Sequence, residues 1–164
     1  MRGFLIAAAA VLVLGLGGCT STAKPVAPST LTPAEVVTAG KATVEKWRQA
    51  YELRSVDSLA KVYAQDIDLL VVLEGTAYQG WSAVETMLKE RIKLAAEIYI
   101  RLKDVSVISV SETVATVSAV MVRETKAAQG ATTVTETGTV TLVLRRVGAD
   151  WAIGVEHFSY KRSS

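Results

Sequence analysis

His157 is the only histidine of the 164-residue chain, two residues before Ser159. An imidazole titrates near neutrality, so this position suits a general base or a hydrogen-bond donor to a ligand. A core histidine bonded to Ser118 or to a backbone carbonyl fits the same position without chemistry. His157 and Ser159 are about 7 Å apart along one strand face, which does not make a nucleophile pair, and no carboxylate is placed to orient the ring. Trp47, Tyr51, Tyr63 and Trp81 are aromatics with one polar tip each, suited either to lining a pocket for a flat or apolar ligand or to filling a core. Glu136 reads as the one inward-facing acid, opposite Lys161 in a rim ion pair. Asp66 and Asp68 resemble paired carboxylates but read as solvent-facing residues after a helix; a hard-cation site needs more oxygens than they supply. One histidine and one cysteine exclude a poly-His metal site and an internal disulfide, and no cofactor is expected. A net charge of +2 from 18 basic and 16 acidic residues is no nucleic-acid footprint.

Helices come first. Thr32-Pro33-Ala34-Glu35 is a capping box with proline at the first helical position. Val36, Gly40, Val44, Trp47 and Tyr51 then share one face of a helix ending near Leu53, with Gly40 a weakness or a point of close approach. Ser55 or Asp57 caps a short second helix that turns Leu59, Val62 and Tyr63 inward. Asp66 to Glu74 reads as a strand, 75–80 as a loop, and Ser82-Ala83-Val84-Glu85 as a second capping box opening a third helix. From residue 97 the periodicity becomes β: segments 98–110, 112–126, 132–146 and 151–161 are rich in Val, Ile and Thr, and short turns make them antiparallel. This order predicts an α+β domain.

The turn candidates set a register. A two-residue turn at Gly148-Ala149 pairs Val147 with Asp150, Leu144 with Ile153, Val140 with His157 and Gly138 with Ser159. A three-residue loop at 128–130 pairs Ser118 with Val140 and Val120 with Gly138. The expected inward face then carries Ser118, Val120, Gly138, Val140, Leu142, Leu144, Trp151, Ile153, His157 and Ser159. The outer face carries Thr133, Thr135, Thr137, Thr139 and Thr141 beside Val117 and Met121, with Arg123 and Arg145. That smooth, charge-poor stripe is the expected homodimer surface.

The N-terminal segment is an address. Phe4 to Leu16 is an uncharged apolar run of thirteen residues after Arg2, short of the about 18 that a membrane span needs. It ends in Leu16-Gly17-Gly18-Cys19, which resembles the lipobox of bacterial lipoproteins. The resemblance implies a signal peptide over 1–18, lipid on Cys19 and anchorage in the bacterial cell envelope. With Thr20 rather than Asp after the cysteine, it implies the outer membrane facing the periplasm if the host is Gram-negative. Residues 19–31, with two prolines and no periodicity, read as lipidated Cys and flexible tether; the domain is 32–162.

Three further stretches, Leu59-Ala60-Lys61-Val62-Tyr63-Ala64-Gln65-Asp66, Gly80-Trp81 before a helix, and Leu142 to Arg146 followed by Trp151 to Ser159, together resemble the NTF2-like superfamily, in particular its small bacterial SnoaL-like members. The resemblance implies a cone: a curved, mostly antiparallel sheet wrapped around N-terminal helices, with a pocket at the wide end. In members of the ketosteroid isomerase type a carboxylate base stands on the first strand, about five residues past the Asp after the second helix. Here that position is Val71, which moves no proton, so that activity is not expected. The expected function is binding of a small, mainly apolar molecule by Trp47, Tyr51, Tyr63, Ser118, Val120, Gly138, Val140, His157 and Ser159. The alternatives are a homodimeric interaction module without ligand and, less favoured, an acid–base enzyme using His157.

Overall fold

The computed structural model describes residues 30–130 and 132–163; the apolar leader, Cys19 and the tether up to residue 29 lie outside the described residues. Helix α1 (Pro33–Glu52) starts as its sequence dictates. Thr32 accepts from the Glu35 backbone while Glu35 reaches back to the Thr32 N–H, at 2.7 Å. Its buried face is Val36, Gly40, Thr43, Val44, Trp47, Ala50 and Tyr51. A Cβ at Gly40 would sit 2.8 Å from Val107 Cγ1, so the glycine marks where the helix presses on the sheet. Helix α2 (Val56–Ala60) is capped by Ser55.

The next segment departs from expectation. Only Leu70–Leu73 is strand β1, and the expected loop holds strand β2 (Thr76–Gln79). Glu74 and Gly75 take φ of 54° and 76°, the pair of positive values that a two-residue hairpin turn requires. Helix α3 (Trp81–Lys93) begins at Gly80 with no side-chain cap, so the Ser82 capping box does not form. Its first turn is tied instead to the preceding loop, Trp81 N–H to Asp66 O at 3.1 Å.

Strands β3 (Ala95–Ser109), β4 (Val114–Ala127), β5 (Thr133–Val147) and β6 (Asp150–Ser163) complete one six-stranded sheet of order β2-β1-β6-β5-β4-β3. All neighbours are antiparallel except β1 and β6, which run parallel. The sheet wraps the helices in an α+β architecture. Its core joins Val36, Trp47, Leu59, Val71, Leu88, Met121, Leu142, Leu144 and Ile153.

Two registers correct the sequence reading. Lys126 pairs with Thr133, so the β4–β5 connection is one residue longer than the loop read at 128–130. Ser118 therefore meets Thr141, and Val120 meets Thr139. Every side chain of β4 changes face, as a one-residue slip must cause. Ala115, Val117, Ala119, Met121 and Arg123 are buried, while Ser118 and Val120 are exposed. Val117 and Met121 therefore do not border the outer threonine stripe, and Arg123 is not on it.

The β5–β6 hairpin starts as expected, with Val147 opposite Asp150 and Leu144 opposite Ile153, but Val143 then meets Val155. Gly154 is the extra residue of a β-bulge, which bends a strand and re-aims the side chains beyond it. A Cβ there would lie 3.1 Å from Arg145 Nε; its absence lets the Arg145 stem cross the strand to ion-pair with Asp66. Beyond the bulge, Glu156 and Phe158 are buried, and His157 and Ser159 are exposed. The bulge sits where β6 changes partner. Before it, Ile153 bonds backbone to Val62 and Ala64 at 2.8 and 2.9 Å; after it, β1 takes over, with Val71 opposite Glu156.

Candidate functional site

The inward parity gained at Gly154 places Glu156 at the centre of the cone, fully buried. Trp47 and Tyr51, one helical turn apart on α1, meet edge to face at 5.2 Å. Tyr63, held by its bridge to Ile153, brings a third polar tip to the same point. The Trp47 indole N–H donates to Tyr63 Oη at 3.0 Å and to Glu156 Oε2 at 3.1 Å. The Tyr63 hydroxyl donates to Glu156 Oε2 and lies 3.2 Å from the Tyr51 hydroxyl. Glu156 Oε1 has no hydrogen-bond partner.

Burial raises the Glu156 carboxyl above the usual glutamate range, against hydrogen bonds from Tyr63 and Trp47 and the charges of Arg123 and Arg91. Burial, and then the Glu156 charge, push both phenols up as well. An internal carboxyl whose charged form is held back by desolvation, beside hydroxyls able to pass a proton, is a recurring feature of functional sites.

Tyr51 also lines a cavity of about 260 Å³. Its lining is apolar at Ile92, Leu94, Ile98 and Val134, and beside them runs a chain of charges of alternating sign: Glu74, Arg91, Glu136 and Arg123. Arg91 bonds Glu74 at 2.9 Å and approaches Glu136 at 4.0 Å. Arg123 Nε bonds Glu136 at 2.6 Å, both side chains being 3% exposed. The Arg123 guanidinium stands 5.1 and 6.0 Å from the ring centres of Phe158 and Tyr160, which stack on each other. The surroundings are therefore mainly apolar, with a few convergent polar groups, the usual make-up of a small-molecule site. Among the described residues no group of three His, Cys, Asp or Glu is arranged to hold a metal.

Of the residues expected in the pocket, Trp47, Tyr51 and Tyr63 surround Glu156, and Val140 is buried in the core. Ser118, Val120, His157 and Ser159 stand on the outer face, because the longer β4–β5 connection and the Gly154 bulge each invert one strand. His157 and Ser159 border an outer depression with Glu74, Gly75, Phe158 and Tyr160. The imidazole thus has no place in a catalytic or ligand role inside the cone. Gly138 opens no space: a Cβ there would run into Ser159 O, so it serves close approach of β5 and β6. Glu136 is no rim residue opposite Lys161; it lies opposite Arg162 in the register and is buried against Arg123. Glu156, Arg91 and Arg123 were not singled out by sequence reasoning. The signal for Glu156 was Gly154 in the middle of a strand, a common mark of a bulge.

The family model described as the SnoaL-like domain matches residues 41–163. No curated protein matches the sequence significantly. Among solved structures, a candidate dehydratase of the NTF2-like family from Streptomyces avermitilis superposes with a TM-score of 0.72 at 19% identity, covering 79% of this chain and 99% of that one. An NTF2-like superfamily protein from Salmonella enterica serovar Typhimurium gives 0.72 at 12% identity, over 80% and 94%. A type 2 hexachlorocyclohexane dehydrochlorinase, LinA, gives 0.67 at 12%, over 77% and 86%. At these identities the likeness is one of fold.

Proposed function

This chain belongs to the SnoaL-like domain family, and from that premise we propose that its cone binds a small, mainly apolar molecule carrying at least one polar oxygen. The observation that carries the reading is the cavity of about 260 Å³ lined by aliphatic side chains together with Tyr51 and Arg123. A ligand there stacks its apolar part on Ile92, Leu94, Ile98 and Val134 and turns its oxygen to the phenol and guanidinium side. Filling the space tests this. The full chain should enhance the fluorescence of 8-anilinonaphthalene-1-sulfonate, and Val134→Trp should abolish that enhancement at an unchanged melting temperature. Equal enhancement by the variant sinks the reading.

We further propose that this site hangs on a lipid tether in the bacterial envelope, outer membrane facing periplasm in a Gram-negative host, on the strength of the apolar run ending in Leu-Gly-Gly-Cys19. Cys19→Ser should move the protein from the membrane to the soluble fraction; retention of the variant in the membrane removes the anchor from the proposal. A second reading, compatible with the first, is a homodimer through the outer sheet face. It is favoured by a surface of β-branched and small polar residues: Thr137, Thr139 and Thr141 on β5, with Ser118, Val120 and Val122 opposite them on β4. Light scattering at tens of micromolar should give a dimer mass that Thr139→Lys halves; a monomer mass for the unsubstituted chain ends this reading.

A further inference from the structure

We propose that Tyr51, Tyr63 and Glu156 form a proton relay ending on the cavity, in which Tyr51 exchanges a proton with the bound molecule and Glu156 stores it. The relay rests on the ligand-binding reading above and adds an acid–base step to it.

Counting hydrogens fixes the directions of donation. An indole N–H donates and never accepts, and a phenol carries one hydrogen. Trp47 already donates to both Tyr63 Oη and Glu156 Oε2. The single Tyr63 hydrogen must therefore go either to Glu156 or to Tyr51, the two remaining oxygens within reach. With Glu156 ionised, Tyr63 donates to the carboxylate, Tyr51 donates to Tyr63, and Tyr51 is left with a lone pair for the cavity. With Glu156 protonated on Oε2, the oxygen that Tyr63 reaches, the acid donates to Tyr63, Tyr63 donates to Tyr51, and the Tyr51 hydrogen is released toward the cavity. The protonation state of Glu156 thus decides whether Tyr51 meets the ligand as acceptor or donor.

Passing between the two arrangements is a balanced transfer. The ligand's proton goes to Tyr51 Oη as the Tyr51 proton goes to Tyr63 and the Tyr63 proton goes to Glu156 Oε2. The products are the ligand anion, two neutral phenols and a carboxylic acid. Burial pushes both phenols up, so both stay neutral at the two ends of the transfer. The substrate class is a weak oxygen acid, whose anion Tyr51 then stabilises by donating to it.

The surroundings suit a group that changes state. Oε1 has no donor to hold it as an anion. Arg123 of β4 and Arg91 of α3 favour the charge, but each is countered, Arg123 by Glu136 of β5 and Arg91 by Glu74 beyond β1. The carboxyl stands opposite Val71 in the β1–β6 register and is linked through Tyr63 to Tyr51, which lines the cavity.

The test uses 4-nitrophenol, whose absorbance separates phenol from phenolate, titrated into the full chain from pH 4 to 9. The neutral probe is a strong donor and a weak acceptor, so its affinity should fall up to about tenfold as Glu156 takes up its proton and Tyr51 turns from acceptor to donor, the weight of one neutral hydrogen bond. Tyr63→Phe, which leaves Tyr51 on the cavity wall, should remove that step, as should Glu156→Gln, which never titrates. Tyr51→Phe removes the phenol that lines the cavity and must abolish the same step; any one of the three variants that folds carries the test. A step that persists in the folded variants, or wild-type binding with no step, overturns the relay and leaves the binding reading standing. No wild-type binding at millimolar probe, together with failure of the cavity-filling experiment, overturns both.

Discussion

Strand β6 divides at Gly154 into two regions that lie in the same core and differ in kind. On the near side, Trp151 and Ile153 pack as plain hydrophobics in the core, with Ile153 fully buried. On the far side, the inward positions are Glu156 and Phe158, with Tyr160 partly buried beside them, and they meet Trp47, Tyr63 and Arg123. The near half contributes stability by removing apolar surface from water. The far half holds polar groups that an aliphatic core of the same volume would exclude at no loss of stability. One residue without a side chain separates packing from chemistry along a single strand.

The comparison is broken most severely by Ile153→Asp. A carboxylate without a partner in the near half should unfold or aggregate the domain, and an unchanged melting temperature would mean that this face is not core. Arg123→Met should come next. It leaves Glu136 buried without its 2.6 Å partner, and such breaks cost about 3–5 kcal/mol, read as a shift of the denaturation midpoint.

Glu156→Gln sharpens the contrast rather than breaking it. The folded carboxyl is raised above its unfolded value, so the folded protein holds the proton more tightly than the unfolded chain. That contribution to stability is complete below the unfolded pKa and is lost as pH rises through the folded one. Relative to wild type, the glutamine variant should therefore gain stability as pH rises from the ordinary glutamate range through the raised one. Melting curves of the two proteins that stay parallel over pH 4 to 8 would contradict the burial of this group. The smallest effect belongs to His157→Ala. An exposed side chain on the outer face should change stability by less than about 0.5 kcal/mol and leave the 8-anilinonaphthalene-1-sulfonate signal intact; loss of that signal would return the imidazole to the site.

The elements were legible because their periodicities are strong. The Thr32 capping box, the Val36-to-Tyr51 face, the Ser55 cap and the turn pairing Val147 with Asp150 all appear where the residues put them. The site was only half legible, for a geometric reason. Trp47, Tyr51 and Tyr63 follow from a helical face and a hydrophobic segment, where a residue's direction depends on near neighbours. Their partners lie on strands, where direction depends on parity carried along from the last turn. One more residue in the β4–β5 connection hid Arg123 on the wrong face, and one bulge exchanged His157 for Glu156. The β1–β2 hairpin was missed because Glu74-Gly75 is a less typical sequence for such a turn than Asn-Gly.

The position of β6 in the sheet bears on how the domain comes into being. It is late in the sequence but lies between β1 and β5, so it joins the β1–β2 hairpin to the other three strands. A ribosome that has released β5 has made a chain whose β1–β2 hairpin has no neighbour in the sheet and which holds no carboxylate for Trp47 and Tyr63 to meet. Frameshifts or proteolytic clips that remove β6 therefore take away a central strand rather than trim an edge. Such products should be cleared as unfolded chains, with no shortened but working form surviving.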